Sequence, residues 1–592
     1  MIELKDKPFY LSDEDIHWVN QTLNGMTMEE KVGQLFCPLG FSSDERILEH
    51  LLCEIKVGGI MFRQGAKNDI RNGHSLIQSM AKIPLLLAAN TECGGDGLFT
   101  EGTSFGNPMA VAATGNIDNA YKMGYTACME GSAAGMNWSF APVVDIDFNF
   151  HNPITNVRTF GSNPDDVLEY AKAYLKGADE AKVATAVKHF PGDGCDERDQ
   201  HLLTSINSMT VAEWDETYGK IYRGMIEAGT KSIMVGHIAQ PAYVEFMNPA
   251  ASAKEKLLPA SMSGDLITGL LRKQLKFNGL VVTDATPMVG YTAAMPRENA
   301  LIESINAGVD MILFNRDLDE DYHYVLSGVQ CGKITMHRMN EAVIRILGMK
   351  AALGLHIKKK EGVLVPSESA LSVIGCQKHS DWAEEVAQKA ITLVKDTQRL
   401  LPISPEKYRR IYLNVIQKDM NPENPVAQTW KRLFEEEGFE VTLRNRSTQI
   451  SMENLAGINL TPEKKALIEE LNSSIEFMKK RQDLYVYIAN IENASNNTTA
   501  RLNWNVLYGR GDDIPWFSAE IPTLFISTSN PYHLFDVPTM KTFINGYHTD
   551  EHYNKAIMDK LVGRGKFEGK NPVDPFCGNK YLRMELEAEE VG

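Results

Sequence analysis

Between about residues 29 and 355, apolar positions fall into short, nearly unbroken runs. These are VGQLFC (32–37), VGGIMF (57–62), PLLLAAN (84–90), MNWSFAPVVD (136–145), VATAVKHF (183–190), KSIMVGH (231–237), GLVVTD (279–284) and GVDMILF (308–314). A strand with one wet face alternates apolar and polar residues, whereas a run without alternation is buried on both faces, as parallel strands are. Between the runs lie segments such as DDVLEYAKAYLKGADEA and GDLITGLLRKQLKF, whose apolar residues recur at helical spacing. Strand and helix repeated to eight is the sequence form of a (β/α)8 TIM barrel, with a doubly wound open sheet as the rival arrangement.

Residues 1–355 are therefore expected to form a barrel domain. Residues 356–372, HIKKKEGVLVPSESALS, are polar and unpatterned and are expected to form a linker. Over 373–592 the alternation resumes, with a helix expected at HSDWAEEVAQKAITLV and strands at RIYLNVI (410–416), FEVTLRN (439–445), DLYVYIANI (483–491) and IPTLFISTS (521–529). This pattern predicts a second, smaller α/β domain of layered, sandwich type.

In a barrel, chemistry gathers where the strands end. Asn90, Asp145, Lys188, His189, His237 and Asp284 all close apolar runs, which predicts a polar rim. The stretch KHFPGDGCDERDQH (188–201) adds more charge after one of those ends, with Asp196, Glu197 and Arg198 expected to be the solvated part of the loop. In an extended segment Asp199 and His201, two apart, would share a face. The carboxylate could then accept from the imidazole, fix its tautomer and make a general acid/base near neutral pH. Asp284 closes its strand either as a carboxylate in the barrel mouth or as an N-cap for the segment that follows. A mouth carboxylate opposite a proton donor is the arrangement of a retaining glycosidase.

Other chemistry fits less well. GVQCGKIT (328–335) has too few residues between its glycines for a phosphate loop, and GRGDD (509–513) reads as a turn. No HExxH or Cys/His spacing supports a metal site, although His189 and His201 could share an ion. No cofactor is expected. The net charge of −17, without long blocks of one sign, argues against nucleic acid. Eight scattered cysteines suit a reducing compartment. With no apolar leader and no run long enough to span a bilayer, the expected location is the cytoplasm, away from membranes. TARLNWNVLYGRGDDIPWF (499–517) groups Trp504, Trp516, Arg501, Arg510, Asp512 and Asp513, a loop that could contact an aglycone or a partner subunit.

The stretch 188–201 resembles the K-H-F-P-G-x-G-x(4)-D-x-H signature of family 3 glycoside hydrolases, in their β-N-acetylglucosaminidase branch. The likeness extends through FAPVVDIDFN, NVRTFGSNP, MVGHIAQP, PASMS and AGVDMILF. It implies Asp284 as nucleophile and Asp199–His201 as acid/base dyad, with Arg158, Lys188, His189, Asn90, Glu92 and His237 binding the sugar. The implied activity is an exo-acting, retaining β-N-acetylhexosaminidase on amino-sugar glycosides. Its siblings, β-glucosidases and β-xylosidases, take their acid from the second domain, where Glu492 or Asp512 would stand. A carbohydrate-binding protein without turnover is the non-enzymatic alternative. The chain departs from the family in NTECGG, where Asn90 replaces an Asp and leaves the preferred sugar open. It departs again at Asp193, where a His is usual, and an effect on loop position is expected there. A histidine acid is neutral after giving up its proton, so phosphate could compete with water as acceptor. A homodimer is compatible with this reading.

Overall fold

In the computed structural model of the chain, the eight apolar runs each contribute one parallel strand to a ring. The structure describes residues 2–40, 44–417, 424–444, 461–471, 473–491, 494–502, 504 and 514–591. The ring strands are β1 (Phe36–Cys37), β2 (Gly59–Met61), β3 (Leu86–Ala89), β4 (Trp138–Ser139), β5 (Ala184–Phe190), β7 (Ser232–Val235), β9 (Leu280–Thr283) and β10 (Ile312–Leu313). Those from β2 to β9 pair in chain order, and β10 pairs with β1. The two remaining seams are closed by Met61 N donating to Pro38 O at 3.0 Å and by Thr283 N donating to Met311 O at 3.1 Å. Two short strands beyond the ring, β6 (Ser205–Ile206) and β8 (Ile238–Ala239), pair with each other. The fold is thus a TIM barrel, followed by a smaller α/β domain.

Burial on both faces explains the missing alternation. Leu280, Val281 and Val282 of β9 are fully buried, and each such side chain stabilises the strand by about 1.5–3 kcal/mol over an exposed one. Helix Pro164–Glu180, between β4 and β5, starts at Asn163, whose side chain accepts from Asp165 N at 2.8 Å. Its buried stripe includes Val167, Tyr170, Ala171 and Tyr174, and the Tyr174 hydroxyl donates to Thr91 O at 2.7 Å, just beyond β3.

Three sequence expectations for residues 1–372 change. The first half of VGQLFC is helix Met28–Gln34, because Thr27 and Glu30 form a reciprocal capping box ahead of it. MNWSFAPVVD is strand only at Trp138–Ser139. The segment 356–372 is ordered: it carries helix Leu355–Glu361 and a 3-10 turn, Glu368–Val373. Its polar composition hides two anchors, a His356 ring stacked 4.7 Å from Trp18 and a Lys359 ammonium donating to Lys82 O at 2.6 Å.

Two compact units result. One comprises Met1–Pro108, Asn116–Ala383 and Ala494–Thr498; the other comprises Met109–Gly115, Glu384–Asn493 and Thr499–Gly592. The second holds a six-stranded sheet in the order β11 (Thr392–Asp396), β16 (Thr542–Asn545), β15 (Thr523–Ser527), β14 (Leu484–Asn490), β12 (Arg410–Gln417), β13 (Glu440–Leu443). Only the edge strand β11 runs antiparallel to its neighbour. The expected helix 379–394 stops at Ala390, and its tail ITLV turns into β11. Among the described residues, no helix is long and apolar enough to cross a membrane.

Candidate functional site

A cavity of about 670 Å³ opens within the first unit at the C-terminal ends of the ring strands. Asn90, Glu92, Arg158, Lys188, His189, His201 and Asp284 line it. Asp284 directly follows β9, and its backbone N donates to Val235 O at 2.8 Å. It caps no helix, since the next one begins beyond Met288.

β5 brings in two neighbours at once. Its register against β7 slips between Val187 and Phe190. A regular strand would send Lys188 and His189 to opposite faces, and the slip lets both line the cavity. Val144 N donates to Lys188 O at 2.8 Å, which draws Asp145 alongside. One Asp145 oxygen accepts from His189 Nδ1 at 2.6 Å, while the other accepts from His189 N at 3.1 Å. With Nδ1 so engaged, Nε2 faces Asp284 Oδ2 at 3.8 Å.

Lys188 and Arg158 converge on Glu92. The guanidinium grips both carboxylate oxygens, at 2.9 and 2.8 Å, and the Lys188 ammonium approaches to 2.6 Å. Lys188 also donates to Asn90 Oδ1 at 3.3 Å. Burial alone would raise the Glu92 carboxyl, but Arg158 and Lys188 outweigh it and hold the group far below its usual range. Burial pushes the Arg158 guanidinium down, and Glu92 more than restores it. Both oxygens of Glu92 are thereby committed to orienting cations.

Asp284 balances similar forces. Burial raises its carboxyl, and the imidazoles, His189 foremost, bring it net below the ordinary value. Its Oδ1 accepts from Ala285 N at 2.7 Å, leaving Oδ2 as the oxygen with room to react.

The Asp199–His201 pair sits in a turn rather than in an extended segment. Asp199 Oδ1 accepts both His201 N at 2.9 Å and His201 Nδ1 at 2.7 Å, so the turn itself closes the pair. Asp199 Oδ2 accepts from Asn496 N at 2.7 Å. Burial raises the Asp199 carboxyl, but the bonds to His201 bring it net below normal. Among the described residues His201 Nε2 has no partner, and the side chain, 26% exposed, lines the cavity. A ring with Nδ1–H fixed on a carboxylate and Nε2 free can give and take a proton at Nε2.

Two expectations are corrected. His237 is fully buried outside the cavity lining, with Nε2 at 3.0 Å from Ala285 O and Nδ1 at 2.9 Å from Ser261 Oγ. Burial lowers its pKa to about 4, so the neutral ring braces the Asp284 loop and has no nitrogen left for a sugar. Asp196, expected in water, is half-buried, pairs with Arg198 and accepts from Ile206 N at 2.8 Å.

Asp193, read from sequence only as a departure in the loop, is a buried brace. Its side chain accepts from Gly194 N at 2.7 Å and Gln200 Nε2 at 3.3 Å, and its backbone N donates to Asp145 Oδ1 at 2.8 Å. Burial and then the adjacent Asp145 push its carboxyl up to about 8. Gly194 is required beside it: its φ is +105°, and a Cβ would stand 1.8 Å from Ile146 O. Arg63 and Asn496, absent from the sequence expectations, also line the cavity. Glu492, Arg510, Asp512 and Asp513 lie outside the described residues.

Known proteins resemble this chain along its whole length. The family profile described as "Glycosyl hydrolase family 3 N terminal domain" matches residues 27–349. A "Beta-N-acetylglucosaminidase/beta-glucosidase" of Cellulomonas fimi is 40% identical over 578 residues, 98% of this chain and 99% of that protein. A "Beta-hexosaminidase A" of Pseudoalteromonas piscicida is 30% identical over 59% of this chain and 61% of its own length. The solved structure "Beta-glucoside phosphorylase BglX bound to 2FGlc" is 43% identical with a TM-score of 0.89, covering 97% of this chain and 99% of that one.

Proposed function

The chain belongs to glycosyl hydrolase family 3, as a glycoside hydrolase of the β-glycosidase and hexosaminidase kind, and from that premise we propose that it is a retaining, exo-acting β-N-acetylhexosaminidase that releases terminal N-acetylglucosamine. The observation that carries this reading is the 2.7 Å Asp199–His201 pair, whose free nitrogen belongs to the cavity that also holds Asp284.

In the first step Asp284 Oδ2 forms a bond to the anomeric carbon as the bond to the leaving oxygen breaks. The His201 Nε2 proton passes to that oxygen, so the alcohol departs neutral. In the second step His201 Nε2 takes a proton from water, whose oxygen displaces Asp284 and restores the starting configuration. Asp199 stabilises the imidazolium and fixes the tautomer throughout. Arg158 and Lys188, oriented by Glu92, donate to sugar hydroxyls, and His189 Nε2 offers a further contact beside them. Asn90, whose oxygen accepts from Lys188, offers its amide protons to the sugar.

A second reading is phosphorolysis. After the first step His201 is neutral, so an incoming phosphate meets no new anionic acid/base, and Arg158 and Lys188 supply cations nearby. The name of the 43% identical solved structure supports this reading, and that name makes a glucoside the alternative sugar. One panel tests all of it: nitrophenyl N-acetylglucosaminide, N-acetylgalactosaminide, glucoside and xyloside, each with and without phosphate. The proposal expects the fastest turnover on the first. Faster cleavage of the glucoside would overturn the sugar assignment, and sugar 1-phosphate as main product would replace hydrolysis.

A further inference from the structure

The second unit has a cavity of its own, of about 480 Å³, whose lining includes Lys395, Trp504, Trp516, Asp536 and Lys541. None of its residues lines the barrel cavity. Lys395 comes from edge strand β11, where the register against β16 shifts between Leu393 and Lys395. Buried positions in β11 fall at Thr392 and Lys395, out of step with strict alternation, so the shift turns a lysine inward. Its side chain is buried, at 5% exposure for the residue, yet among the described residues its ammonium has no ion pair or hydrogen bond. Long cationic side chains are rarely buried without a partner, because the charge loses its hydration.

The carboxylate in the lining does not answer it. Asp536 is engaged by the Arg501 guanidinium, at 2.7 Å from Nε, and by His533 Nδ1 at 3.1 Å. Lys541, also in the lining, forms no salt bridge among the described residues. Beside these two ammonium groups stand two indoles, and Trp516 is 55% exposed. An exposed indole suits the C–H face of a pyranose ring, and two lysines in one cavity lining suit an anion.

We propose that this cavity is a saccharide-binding site, separate from the catalytic cavity, for a sugar ring carrying a carboxylate. The ring stacks on Trp516, and the carboxylate pairs with Lys395, with Lys541 as its second contact. The site stands independently of which sugar the barrel cleaves.

Binding is measured by calorimetry on the full chain carrying Asp284→Asn, which prevents turnover, with methyl β-glucuronide, methyl β-glucoside and inorganic phosphate as probes. The glucuronide is expected to bind at least about tenfold more tightly than the glucoside, the scale of one charge-assisted hydrogen bond. Lys395→Met and Trp516→Ala, each added separately, should weaken glucuronide binding by about tenfold or more. In the otherwise native chain both should leave nitrophenyl glycoside hydrolysis unchanged. Lys395→Met keeps the buried stem, removes only the unpaired ammonium in the cavity lining, and should melt no lower than the parent. Should it misfold, Trp516→Ala and Lys541→Met carry the test. Equal affinity for glucuronide and glucoside, binding undiminished in the folded variants, or displacement of the glucuronide by equimolar phosphate would each overturn the proposal.

Discussion

In the barrel cavity, Asp284, Lys188 and His189 form a strand side, standing at the ends of β9 and β5, where the ring fixes their backbones. Asp199 and His201 form a loop side, riding on the segment between β5 and β6. That loop is tied down by pieces: β6 pairs with β8, Gln200 bridges Asp193 and His237 N, and Asn496 N reaches Asp199 from 297 residues away. The difference follows the chemistry assigned to each side. The attacking carboxylate must meet one atom in one place, so a strand end held by the ring suits it. The acid/base must serve a leaving alcohol and then an incoming water, so a loop with several separable tethers suits it.

The sharpest way to break this contrast is to remove one function from each side. Asp284→Asn should lower kcat/KM by at least about 10³-fold for every leaving group, because no covalent intermediate can form. Circular dichroism and melting should show the fold retained. His201→Ala should cost about 10²–10⁴-fold on substrates with poorly leaving alcohols and far less on dinitrophenyl glycosides, which need no proton. If the two variants responded alike to leaving-group acidity, the division of roles would fail.

Much of the strand side is legible in the sequence, since a run buried on both faces that stops at a polar residue marks a strand end. That rule finds Asp284, Lys188 and His189. It also picks out His237, wrongly as a sugar ligand, because a strand end says nothing about where the ring nitrogens are spent. The loop side is legible only as D-x-H; its tethers are not. Asn496 is too far along the chain for any local pattern, and Asp193 looks like an ordinary turn residue until its burial is seen. The helix Met28–Gln34 could have been found from the capping residues Thr27 and Glu30. In the second unit, β11 was hidden because the helical pattern before it runs directly into Ile391–Val394.

A smaller effect is expected within the strand side. Lys188→Met leaves the Arg158–Glu92 pair in place and removes one charged donor. It should reduce kcat/KM by about 10–100-fold, the equivalent of one hydrogen bond from a charged group. Steady-state kinetics on the best nitrophenyl substrate checks this.

The smallest effect concerns the tether. The Asp193 carboxyl, raised from 3.8 to about 8, stays protonated in the folded chain across a window where the unfolded chain is ionised. The unfolded state therefore binds fewer protons, and this group makes stability fall as pH rises from about 4 to about 8. Asp193→Asn keeps the shape and loses the titration, so its melting temperature should gain on the parent steadily over that window. A constant difference across pH would show that Asp193 is ionised in the fold.

The central claim is that Asp284 carries the glycosyl group and His201 moves the proton. It is tested most directly by the anomeric configuration of the glycosyl azide formed when azide rescues each crippled variant, read by proton NMR. Asp284→Ala should give the α-azide in a single displacement, and His201→Ala the β-azide, by attack on the intact glycosyl-enzyme. The reverse assignment, or the same anomer from both, would contradict the account.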